Sequence, residues 1–206
     1  MSEGRPAVVF VGPPGSGKST VGKVVARRLG VVFTDADALI EARAGKAISD
    51  MFLQDGEPAF RAMERDVVAE ALGRDCGVLA LGGGAVLAPE TREVLRGHRV
   101  VALTVSLADG MRRTGMSTAR PLLAGVNPRA TFKALLDARA PLYAEVATVT
   151  VDTARRSANQ VATAVLAALG ETTPEPEPVA DDPLDKPTPH DGVSLPDPFV
   201  RDPSAP

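Results

Sequence analysis

The chain has 206 residues, enough for one domain with a real core plus a tail. At 44% hydrophobic and 24% charged it has the make-up of a soluble globular protein. No run approaches the roughly eighteen apolar residues of a membrane span, so no membrane partner is expected.

The net charge of −3 hides two unlike parts. Residues 171–206 hold ten prolines and nine acids against two bases, a charge of −7, which leaves +4 on the remainder. Prolines and mutually repelling acids cannot bury enough apolar surface to order a segment. This acidic, proline-rich tail is therefore expected to be disordered, with a folded domain over 1–170. Its deletion is expected to leave activity and melting temperature nearly unchanged. A charge of +4 suits small anionic ligands and is too weak to imply nucleic acid. The opening MSEGRPAVVFVGPPG lacks the basic start of a signal peptide. A lone cysteine, Cys76, fits a reducing compartment, and His98 and His190 stand apart, which argues against a disulfide, a metal cluster or a histidine triad.

In chain order, Ala7 to Val11 is an apolar, β-branched run suited to a strand buried on both faces. Gly12-Pro13-Pro14-Gly15-Ser16-Gly17-Lys18-Ser19 follows, fitting G-x-x-x-x-G-K-[ST] between a strand and a helix. Its glycines let successive N–H groups turn toward phosphate oxygens. Lys18 can reach the β- and γ-phosphates and the Ser19 hydroxyl can ligate Mg²⁺. Val21, Val24, Val25 and Leu29 carry the helix, which Gly30 closes.

Val31-Val32-Phe33 starts a second strand, and Asp35-Ala36-Asp37 follows it. Alternation along an extended segment points both carboxylates one way, on the rim that carries the P-loop. One suits the hydration shell of Mg²⁺ and the other an attacking hydroxyl. Asp37 capping a helix from Ala38 is the competing explanation.

Phe60, Met63, Val67 and Ala71 mark a helix face. Beside it lies Arg61, which composition alone would leave on the surface. Val78 to Leu81 forms a third strand, ending in the triplet Gly82-Gly83-Gly84. Wedged between apolar runs, the triplet suits close approach of backbone to a ligand better than a flexible link.

Val100 to Val105 is a fourth strand. Gly115 to Asn127, with Arg120 inside, has the composition of a hinged lid and equally of an ordinary loop. Asn127 and Pro128 open a helix as cap and first residue. Its stripe Phe132, Leu135, Leu136, Arg139 brings a guanidinium to an apolar face, which needs an anionic partner or a snorkelling path. Ala147 to Val151 and a helix through Val161, Val165 and Leu169 complete an alternating α/β pattern.

GPPGSGKST, the DxD of TDAD, Phe60-Arg61, LGGG, RPLL and RAPLY stand together in the order and spacing of one family. From Ala7 to Leu169 the chain resembles the shikimate kinases, P-loop proteins of the nucleoside-monophosphate-kinase-like group. The resemblance implies a three-layer α/β/α fold with a five-stranded parallel sheet and a lid. It implies transfer of the ATP γ-phosphoryl group to the 3-hydroxyl of shikimate by a monomeric cytoplasmic enzyme using Mg²⁺. The nucleotide would lie on Gly15, Ser16, Gly17, Lys18, Ser19 and Thr20, with Arg113 and Arg156 flanking adenine. Ser19 and Asp35 would serve the metal. Lys18, Asp37 and Arg120 would carry the chemistry. Asp37, Phe52, Phe60, Arg61, Gly82, Gly83, Gly84 and Arg139 would hold shikimate, the two arginines clamping its carboxylate. Ala36 departs from the family, which often has threonine between the aspartates. A gluconate kinase, or a non-catalytic nucleotide-binding module, would share the P-loop without the full set.

Overall fold

The computed structural model of the chain describes residues 6–74, 77–114 and 127–171. The tail from 172 onward, Cys76, Arg120 and all of the expected lid except Asn127 lie outside them.

Five parallel strands form one sheet in the order β2-β3-β1-β4-β5: β1 (Val8–Val11), β2 (Phe33–Asp35), β3 (Val78–Ala80), β4 (Val100–Thr104) and β5 (Val149–Asp152). Side chains along β1 and β3 alternate between two cores. Val9, Val11, Leu79 and Leu81 face α4 (Gly56–Leu72), α5 (Pro89–Leu95) and α7 (Pro128–Val146). Val8, Phe10, Val78 and Ala80 face α1 (Lys18–Leu29) and α8 (Ala158–Ala168). Helices on both faces explain why β1 and β3 read as unbroken apolar runs. Ile40, Met51, Phe60 and Val67 make a third cluster, tying α2 (Ala36–Ala44) and α3 (Ile48–Gln54) to α4.

Two expectations shift. The second strand starts at Phe33 rather than Val31, because the Val31 N–H is held by the Ala26 carbonyl at 3.0 Å, closing the end of α1. Asp35 also ends β2 and caps α2, accepting from the Asp37 N–H at 3.1 Å, so the capping residue is Asp35 and the helix starts at Ala36. Strand alternation therefore does not relate the two aspartates. In α7 the Asn127 side chain accepts from the Ala130 N–H, with Pro128 in the first turn as its sequence predicts. Glu171, assigned by composition to the tail, pairs with Arg99 at 2.6 Å beside the end of α8.

Candidate active site

The carboxyl ends of β1, β2 and β3 open into a cleft of about 660 Å³. At one end the P-loop enters α1, and Gly15, Gly17, Lys18, Ser19 and Thr20 line the wall. The Lys18 ammonium donates to the carbonyls of Gly12 (2.9 Å) and Pro13 (3.1 Å), which curls it back over its own loop. Ser16 is fully buried beneath that loop, its hydroxyl without a partner. The Ser19 hydroxyl donates to the Asp35 carboxylate at 2.7 Å, a pair of hard oxygens at the mouth of the loop.

At the other end, α4 turns Arg61 and Glu64 inward and α7 turns in Arg139. Arg61 is gripped by Glu64 at 2.7 Å and by Glu57 at 3.1 Å. Burial pulls the Arg61 pKa down, but those two carboxylates outweigh it and leave it above the ordinary value. Glu64 is itself only 3% exposed. Burial pushes its pKa up and the nearby Asp37 charge adds to this, against the opposing pull of Arg61. Phe52 and Phe60 form an apolar wall, their rings 4.7 Å apart, with the Arg61 guanidinium 5.1 Å from the Phe60 ring.

Asp37 and the glycine triplet lie between the two ends. A Cβ on Gly82 would come within 2.7 Å of Asp37 Oδ1 and 2.9 Å of Glu64 Oε1, and one on Gly84 would overlap the Arg61 guanidinium. A Cβ on Gly83 would instead meet Pro14 of the P-loop at 3.1 Å. Gly83 thus packs against the P-loop, whereas Gly82 and Gly84 pack against Asp37, Glu64 and Arg61 toward the other end.

Placement thus gathers most of the residues singled out by sequence into one cleft. Arg113 lines it, its guanidinium held by the Thr153 hydroxyl and carbonyl, both at 3.0 Å. Arg156 is exposed on the loop after β5 and does not line it. Glu64 was missed by sequence reading. Its trace was there, an acid on the Phe60–Val67–Ala71 stripe three residues after an arginine, where a charge needs a buried partner.

The shikimate kinase family model matches residues 14–170. The chain belongs to the shikimate kinase family. This family member is 64% identical to a shikimate kinase of Saccharopolyspora erythraea over 69% of its own length and 82% of the relative's. A solved shikimate kinase from Acinetobacter baumannii in complex with shikimate superposes with a TM-score of 0.77 at 38% identity, covering 80% of this chain and 93% of that one. A gluconokinase from Sinorhizobium meliloti 1021 matches at TM-score 0.53 and 21% identity, covering 82% and 93%, a likeness of fold alone.

Proposed function

We infer that this kinase phosphorylates shikimate with ATP, in aromatic amino-acid biosynthesis. The product is shikimate 3-phosphate, with ADP released. One observation carries the reading: a P-loop and an inward pair of arginines share a cleft with Asp37 between them. The P-loop N–H groups and Lys18 bind the triphosphate, and Arg113 and Arg156 flank adenine. Arg61 and Arg139 take the acceptor carboxylate as guanidinium forks. Gly82, Gly83 and Gly84 form a backbone wall, and Phe52 and Phe60 pack the ring.

Asp37 accepts the hydrogen of the 3-hydroxyl, and that oxygen attacks the γ-phosphorus as the bond to ADP breaks. Arg120, on the segment between α6 (Leu107–Thr114) and α7, balances charge on the transferring group. Ser19 and Asp35, hard oxygen donors 2.7 Å apart, fit Mg²⁺, which when bound neutralises phosphate charge. The reading includes a monomer, and a reducing, cytoplasmic setting for the single cysteine.

A coupled assay of ADP release tests it. Turnover with shikimate and none with gluconate is expected. Turnover with gluconate alone, or ATP binding without any transfer, would overturn the assignment.

A further inference from the structure

Helix α7 brings two donors to a single acceptor on the glycine loop. The Tyr143 hydroxyl donates to the Gly83 carbonyl at 2.6 Å, and Arg139 Nη1 donates to the same oxygen at 2.9 Å. A carbonyl oxygen has two lone pairs, so these donors saturate it. Residues 139 and 143 lie one turn apart on the same helix face, which is how both reach it. Tyr143 is 6% exposed and packs in the core cluster of Leu81, Ala85 and Val86, so its ring has no room to turn away. On its other side Gly83 abuts Pro14, which leaves the peptide held between α7 and the P-loop.

Arg139 must meet an anion while donating to Gly83 through one nitrogen and lying against the Tyr143 hydroxyl. A guanidinium held at one nitrogen can pivot about that contact, and its direction is only as fixed as the acceptor. The Tyr143 hydroxyl removes that freedom by fixing the acceptor.

We propose that Tyr143 is a positioning residue for the acceptor: it fixes the Gly83 carbonyl, and through it aims the Arg139 guanidinium and sets the glycine wall, without touching substrate. The proposal rests on the shikimate reading of the cleft. Burial pushes the Tyr143 phenol up to about 12, so it remains a donor at neutral pH.

Tyr143→Phe keeps the ring and removes only the hydroxyl. The shikimate KM should rise about fivefold, the share of one net hydrogen bond, with the ATP KM unchanged. Unchanged values for both substrates, or equal rises in both, would overturn the proposal, since a merely structural hydroxyl would not divide them. Should the variant fail to fold, the wild-type enzyme supplies the second readout. Tyr143 is the sole tyrosine and there is no tryptophan, so the tyrosine absorption spectrum reports this residue alone. Shikimate should shift that spectrum saturably in the absence of nucleotide, and a spectrum indifferent to shikimate would overturn the proposal. Wild-type enzyme without shikimate turnover would overturn the functional reading itself. Active wild type with an indifferent Tyr143→Phe would overturn only the positioning role.

Discussion

The cleft is walled by two glycine-rich loops, and Gly17 of the P-loop is glycine for a different reason from the triplet. In the P-loop, Gly17 has φ 87°, a left-handed conformation, and a Cβ there would meet nothing nearer than 3.8 Å. It is glycine because of its backbone angles. In the triplet no φ is positive, and Gly84 has φ −105°. Gly82 and Gly84 are glycine because Asp37, Glu64 and Arg61 occupy the space a side chain would need, and Gly83 because Pro14 does. The first kind of glycine constrains the chain whatever binds beside it. The second exists only in relation to neighbours far off in sequence.

Substitutions can pull this contrast apart. The largest effect is expected from Arg139→Ala, which removes the guanidinium hung on the triplet. Losing charge-assisted contacts worth roughly 2–3 kcal/mol should lower kcat/KM for shikimate about a hundredfold. The ATP KM should hold steady, and an equal rise there in steady-state kinetics would dissolve the division between the loops.

Next come the glycines themselves. Gly82→Ala should raise the shikimate KM about tenfold by forcing Asp37 and Glu64 aside. Gly17→Ala, strained by about 1–2 kcal/mol at the start of α1, should raise the ATP KM instead. Matching profiles from the two variants would mean that glycine plays one role in both loops.

The smallest effect concerns the anchor of the triplet. Tyr143 has a folded-state pKa near 12 against an ordinary 10. Its protonated form therefore favours the fold fully below pH 10, and that contribution drains away as pH rises toward 12. The melting-temperature gap between wild type and Tyr143→Phe should be constant below pH 10 and narrow above it. A gap that stays constant up to pH 12 would show that the buried phenol does not titrate as its surroundings require.

What could be read from sequence follows from the same distinction. The P-loop, the strands and the Phe132–Arg139 stripe obey local rules of backbone angle and periodicity, so they were legible. Asp35 was not legible as a cap, because the strand ends two residues earlier than alternation through Asp37 suggests. Short α3 and α5 carry too few turns for a periodic signal. Glu64 shares the periodic stripe of Phe60, but its pairing with Arg61 in a buried cleft depends on the fold. The shared acceptor at Gly83 joins residues about sixty positions apart, and no local pattern encodes such a meeting.

The same charges also set the range over which the cleft acts. Among the described residues lining it, Asp35, Asp37, Glu41 and Glu64 face Lys18, Arg61, Arg113 and Arg139, four charges of each sign. Such a wall has no formal net charge to draw anions from afar. It discriminates at contact, by where each fork points, and background electrolyte has little long-range attraction to screen.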